Sequence, residues 1–446
     1  MRDEALSNTA HLVDIGDGRA VVVDPRRDID EYVALADRRG ARIVSSFETH
    51  LHADYVSGSR ELARASAAEV VMPRAADADY ADRILEDGDR VEFDGVVLRA
   101  LATPGHTPEH LAYVLEENGR PRAVFTGGSL IVGGAARTDL LGPQRTDALA
   151  SDQFRSLRLL AELPDDIAVY PTHGAGSFCL AAASPVTNPT IGSEKRTNPL
   201  LQVDDENEFV RQLTAGFGTF PRYYRHLQDV NQRGASLLSE LTEPVPLDPD
   251  QIAAAVERGA WLVDARPTDE WSGAHPMGAV SIELRPAFAS WLGWVVPFGA
   301  PIILLVGDQR RDAAVTLANR IGYDVAGWLD GGVDAWARAD LPIASVEEVA
   351  PADAARRHAH GAVLLDVRQQ AELEVLTLPG ATHVALGAIA EGHVPAFPRA
   401  ADVITFCGHG ERSATAASLL QRQGVTVANL AGGAGAWEVA GLPTRR

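Results

Sequence analysis

The chain has 446 residues, 46% of them hydrophobic and 23% charged, which suits about three ordinary globular domains and excludes a disordered or fibrous chain. Its formal net charge of −21 argues against nucleic-acid partners and anionic membrane surfaces, both of which call for clustered Lys and Arg. No apolar run approaches the roughly 20 residues that span a bilayer, and the polar opening MRDEALSNTAHL lacks the apolar core of a secretory signal.

Near the start, HLVDIGDGRAVVVDPRRD reads as a hairpin around an Asp-Gly turn, and DIDEYVALADRRG as a helix closed by glycine. Further strands are expected at 41–47, 69–72, 91–102, 112–115 and 123–125, with helices between them, an α/β layered pattern. Residues 206–242 read as helical, and EPVPLDPDQ after them as a linker.

Three histidine motifs follow expected strands. FETHLHADYVSGSR sets His50, His52 and Asp54 at alternate positions, so that the two imidazoles share one side of an extended segment. TPGHTPEH presents His106 after a Pro-Gly turn, and YPTHGAGS carries His173. Imidazole and carboxylate are ligands for zinc or non-haem iron, and three such loops point to a metal pocket. Cys179, a little beyond His173, reads either as a thiol that relays sulfur near that pocket or as a small buried hydrophobe. It and Cys407 are the two cysteines, too few for a disulfide framework; with no export signal the expected compartment is the reducing cytoplasm.

After the linker the sequence repeats. WLVDARPTDEW resembles LLDVRQQAEL, HPMGAVSIEL resembles TLPGATHVAL, and WLDGGVDAW resembles NLAGGAGAW. Asp264 to Asp366 is an offset of 102, and Gly331 to Gly432 one of 101, which defines two copies of one domain joined by residues 342–353. In the second copy the strand DVITF runs into CGHGERSATAASLL. There Cys407, Gly408, His409, Gly410 and Glu411 form a glycine-rich loop whose N–H groups make an anion nest, and Ser413 is placed to cap the next helix. A thiol facing that nest and a helix N-terminus is favoured as thiolate, and Arg412 can stabilise the loop or the charge it cradles.

These residues resemble a rhodanese domain, with its C-x-x-G-x-R-S after a strand and later G-G-x-x-A-W. The matching positions are Cys407, Gly410, Arg412 and Ser413, then Gly432, Gly433, Ala436 and Trp437, with the upstream D-x-R at Asp366 and Arg368. The loop is one residue shorter than in cysteine phosphatases of related shape and fits a sulfane sulfur rather than a phosphate. The resemblance implies sulfur transfer through Cys407, from a persulfide or thiosulfate to a thiol or sulfite acceptor. In the first copy Val306 stands at the cysteine position while Arg311 is kept, which implies a copy without catalysis.

The N-terminal motifs H-x-H-x-D, T-P-G-H-T-P and P-x-H-G resemble the metallo-β-lactamase fold, and with ARTDL and IGSEKRTNP its persulfide dioxygenase branch. The implied architecture is α/β: an αββα sandwich over 1–243, then rhodanese-like domains over 250–343 and 350–446. The branch implies mononuclear iron on His50, His106 and an aspartate, oxidation of a thiol persulfide, and homodimers. Gly128 occupies the aspartate position, and Tyr55 that of a histidine used by dinuclear zinc members. His52, Asp54 and His173 are the candidates to complete the coordination. Three outcomes follow: a weakened iron site, a zinc site of altered geometry, or a vestige without metal. The competing functions are a glyoxalase II-like thioester hydrolase and a non-enzymatic sulfur carrier or sensor.

Overall fold

Both faces of the run Arg19–Val23 are apolar because both are covered. Val21 and Val23 point into one hydrophobic cluster, Val22 into another, and the strand lies inside its sheet. The same logic, repeated strand by strand, builds the first of two units in the computed structural model, which describes residues 1–174, 178–179, 189–397 and 401–445. The units are Met1–Leu241 with Arg320–Gly322, and Thr242–Asn319 with Tyr323–Arg446. No helix among the described residues is long and apolar enough to cross a membrane.

In the first unit one five-stranded sheet has the order His11–Gly16, Arg19–Val23, Arg42–Phe47, Glu69–Pro73, Arg83–Leu85. Its opening pair is antiparallel and the rest parallel. The hairpin turns at Asp17 and Gly18, whose φ values of +52° and +65° are the two positive angles of a type I′ turn. The second sheet runs Ala168–Pro171, Arg120–Gly127, Leu111–Glu117, Val96–Ala102, Arg90–Phe93. Phe47, Val71, Leu98, Tyr113 and Phe125 meet between the sheets. Ala112 and Val114, on the opposite face from Tyr113, pack under the helices Pro143–Ala161 and Glu206–Ala215. This is the αββα sandwich.

Two expected elements divide. Residues 91–102 form two strands, because Asp94 and Gly95 at φ +38° and +97° turn the chain back on itself. Residues 206–242 form the helices Glu206–Ala215 and Tyr224–Arg233, broken across a stretch that contains Pro221, with a short 3₁₀ turn at Leu238–Glu240.

In the second unit each repeat forms a five-stranded parallel sheet in the same order. The first is Val245–Leu247, Val325–Leu329, Ile302–Leu305, Trp261–Asp264, Val280–Ser281; the second is Glu347–Val349, Val427–Leu430, Val403–Phe406, Val363–Asp366, Thr382–His383. The two stretches expected as linkers therefore supply edge strands, where Pro246 lacks a donor at no cost to the ladder. The repeats agree in detail: the Trp336 and Trp437 indoles both donate at 3.0 Å to a proline carbonyl, of Pro342 and of Pro443.

The buried D-x-R pair is one device used twice. Arg368 Nη2 reaches Asp366 Oδ2 at 2.6 Å and donates to the Leu376 carbonyl at 2.8 Å, and Arg266 makes the same contacts with Asp264 and Ala274. Removing one member of a buried pair strands the other's charge. Arg368→Ala is expected to destabilise the second unit by about 3–5 kcal/mol, read as a lower urea midpoint of the full chain.

Candidate metal centre and thiol site

Five strand ends in the first unit deliver polar side chains to one place. Asp24 follows Val23, Glu48 through Asp54 follow Phe47, His106 and His110 lie between Ala102 and Leu111, the Gly128 backbone N–H follows Gly127, and His173 comes two residues after Pro171. His50, His52, Asp54, His106 and His173 are all buried there. Nitrogens of His50, His106 and His173 lie within 4.8 Å of one another; so do ligand atoms of Asp24, His50 and His52, and of His52, Asp54 and His173.

Hydrogen bonds fix the tautomers. Thr49 Oγ1 donates to Asp24 Oδ2 at 2.8 Å, so its lone pair accepts from His50 Nδ1, also at 2.8 Å. The Arg137 carbonyl accepts from His106 Nδ1 at 2.7 Å. His173 Nδ1 faces two acceptors, Asn8 Oδ1 at 3.2 Å and Asp54 Oδ2 at 3.4 Å. All three imidazoles thus hold a proton on Nδ1 and turn Nε2 toward a common point. Burial and the neighbouring imidazoles hold His50 and His106 well below the ordinary histidine range, so both stay neutral.

His52 behaves differently. Its Nε2 meets Glu48 Oε2 at 3.0 Å, Asp24 Oδ1 at 3.3 Å and the Tyr55 hydroxyl at 3.0 Å. Burial opposes its charge, but the two carboxylates outweigh burial and raise its pKa. His52 Nδ1 and Asp54 Oδ1 are buried without a hydrogen-bond partner. Neutral imidazole nitrogens that converge beside orphaned polar atoms are what a divalent transition metal requires, so the residues present fit one.

His110 is in the cluster but not a candidate ligand. Its Nδ1 pairs with Thr103 Oγ1 at 2.9 Å and its Nε2 accepts the Gly128 N–H at 3.0 Å. Burial lowers its pKa to about 3. Below the unfolded value of 6.5 the unfolded chain binds a proton that the folded one refuses, so stability is full above about pH 6.5 and lost as pH falls toward 3. Thermal melts of the full chain between those values are expected to show a first-unit transition that drops steadily with acid.

Asp24, Glu48, Asn8, Thr49 and His110 join the site without being singled out by the sequence, although Glu48 and Thr49 stand inside the stretch that carries His50 and His110 closes the one that carries His106. Cys179 is buried, its carbonyl accepting from Arg137 N at 2.8 Å. Burial, and after it the neighbouring Cys179, push the Tyr224 phenol well above its ordinary range.

In the second unit Cys407 follows the strand Val403–Phe406 and is fully buried. The Gly410 N–H donates to its Sγ at 3.1 Å. Ser413 does not cap the helix Glu411–Arg422, which starts at a Gly410 N-cap; as the third helical residue it turns back, donating to the Gly410 carbonyl at 2.9 Å with Sγ 3.6 Å away. Arg412 makes a two-pronged pair with Glu372 at 2.6 and 2.7 Å and lies over the Trp291 ring at 5.5 Å. Burial would lower the Arg412 pKa, but Glu372 and Cys407 hold it above the ordinary value. His409 faces solvent, the Gly408 carbonyl accepts from Gly435, and Glu411 lies 4.0 Å from Arg285. Gly433 must be glycine: at φ +60° a Cβ would stand 2.4 Å from the Cys407 carbonyl. In the first repeat Val306 follows Ile302–Leu305 as Cys407 follows its strand, and Arg311 lies 3.8 Å over the Trp328 ring.

Residues 4–173 match the Metallo-beta-lactamase superfamily, and residues 248–339 and 350–440 each match the Rhodanese-like domain. The chain belongs to the metallo-beta-lactamase superfamily and carries two rhodanese-like domains after that fold. Among its relatives is the human mitochondrial persulfide dioxygenase, 31% identical over 195 residues, 43% of this chain and 70% of that one. A hydroxyacylglutathione hydrolase of a Synechococcus species is 34% identical over 168 residues; the match spans 36% of this chain and 62% of the hydrolase. A solved metallo-beta-lactamase from Staphylococcus aureus, 27% identical, superposes with a TM-score of 0.66 over 74% of this chain and 97% of its own.

Proposed function

We propose that the chain is an enzyme of sulfur metabolism acting on persulfides, with sulfur transfer through Cys407 and iron-dependent persulfide oxidation in the first unit. The observation that carries the transfer is the Cys407 thiol at a strand end, with the Gly410 N–H on its sulfur and Arg412 fixed beside it. The Cys407 thiolate attacks the outer sulfur of R–S–SH, the S–S bond breaks, and R–S⁻ leaves while Cys407 keeps the sulfur as a persulfide. A nucleophilic thiol or sulfite then takes that sulfur and restores the thiolate. The Gly410 N–H and the Arg412 charge stabilise the anionic sulfur in both steps. Two buried thiols that form no disulfide suit a cytoplasmic setting.

In the first unit His50, His106 and His173 would hold the metal, which would supply a redox-active centre for a persulfide sulfur. Thr49, the Arg137 carbonyl, Asp54 and Asn8 orient those rings, and Asp24 with Glu48 holds His52. The likeness to a hydroxyacylglutathione hydrolase favours a second reading, thioester hydrolysis. Incubation of the full chain with glutathione persulfide, followed by oxygen uptake and by the mass of the Cys407 peptide, tests the proposal. Gain of one sulfur atom on Cys407 together with oxygen uptake is expected. Thioester hydrolysis without oxygen uptake would move the first unit to the second reading.

A further inference from the structure

The pair His50 and His173 is arranged for a shared ion. Their Nδ1 atoms are taken by Thr49 and by Asn8 and Asp54, and their Nε2 atoms converge to 3.4 Å. That separation suits two ligands on one tetrahedral ion with metal–nitrogen bonds of about 2.0–2.1 Å. His106, whose Nδ1 is taken by the Arg137 carbonyl, turns its remaining nitrogen to the same point.

Gly128 explains why the third ligand is a histidine. A Cβ there would stand 2.2 Å from His106 Cδ2 and 2.8 Å from its Cγ, so the imidazole fills the space that a side chain at 128 would need. The Gly128 N–H is held in place by His110 Nε2 at 3.0 Å. A carboxylate at this position and His106 in its observed place exclude each other. His52 is a poorer candidate: its Nε2 is spent on Glu48 and Asp24, and no group of converging ligand atoms among the described residues holds both His52 and His106.

We infer that this chain holds a divalent first-row transition ion on three neutral imidazoles, His50, His106 and His173, with Asp54 as the carboxylate behind His173 and no carboxylate on the metal. The inference rests on the metal-dependent reading of the first unit and narrows it. Three neutral ligands leave the full dipositive charge at the centre, which selects an anionic sulfur ligand such as a deprotonated persulfide.

The test reads metal rather than turnover. Full-length protein is titrated with Zn(II) and, anaerobically, with Fe(II), and bound metal is measured after gel filtration; X-ray absorption of the zinc-loaded chain counts imidazoles without any variant. One equivalent of metal and three imidazole scatterers are expected. His173→Ala should fall to below about a tenth of an equivalent, Asp54→Asn should bind roughly 10–100-fold more weakly, and Gly128→Asp should weaken binding rather than strengthen it. Circular dichroism of each variant distinguishes metal loss from unfolding. Stoichiometric metal in His173→Ala, its loss in His52→Gln instead, tighter binding in Gly128→Asp, or a sulfur scatterer overturns the ligand set. If the set holds while persulfide consumes no oxygen, the oxidation reading fails and this one stands.

Discussion

Cys407→Ser is expected to lower sulfur transfer from thiosulfate or glutathione persulfide by at least about a thousandfold, while metal content and the melting of the first unit stay unchanged. A serine hydroxyl at the same strand end keeps the Gly410 contact and the fold, but it is neither ionised near neutral pH nor able to carry a sulfane sulfur. The loss should appear in the chemical step, because Arg412 keeps its pair with Glu372 and its place over the Trp291 ring. Transfer that survives the substitution would move the chemistry away from this loop, and Cys179 would be the remaining thiol to test.

The loop around Cys407 shows what a sequence carries and what it does not. The strand, the two glycines and the arginine are contiguous, so the nest is legible in the order of residues alone; the repeat offset likewise reveals two copies of one domain. Glu372, which fixes Arg412, lies 40 residues away, and Trp291 comes from the other repeat. Pairs of that kind have no local signature. Residues 91–102 read as one strand because apolar residues flank Asp94 and Gly95 on both sides and share one core, although the Asp-Gly pair itself is a turn signal. Proline content suggests a linker at EPVPLDPDQ, where the chain forms the edge strand Val245–Leu247, because proline marks an edge as readily as a loop.

In the metal centre the three histidine loops are legible because each follows a strand, and the absence of a carboxylate at Gly128 is legible too. The consequence of that absence is not. Whether a missing side chain leaves a hole or a neighbour fills it depends on packing across the sandwich, and here the His106 ring has taken the space. The residues that set the tautomers are equally silent: Asn8 lies far from His173 in the chain, and the Arg137 carbonyl carries no identity a sequence can show.

His50→Ala should produce the converse of the Cys407 result. His50 contributes to two of the three ligand groups, including the all-histidine one, and its ring also stands against His52, His106, His110 and His173 with centroid separations of 4.2, 4.8, 5.1 and 5.5 Å. Loss of its nitrogen leaves two ligands, and metal affinity should fall by about 4 kcal/mol or more, roughly a thousandfold. Any oxygen uptake with persulfide should disappear with the metal. Sulfur transfer through Cys407 should persist at its original rate, because the thiol, the N–H on its sulfur, Arg412, Glu372 and Trp291 all belong to the other unit. The His50→Ala protein is therefore the sharper of the two variants: equal loss of both activities would mean that the two units work on one bound sulfur in an obligatory sequence, and selective loss would mean that each performs its own reaction.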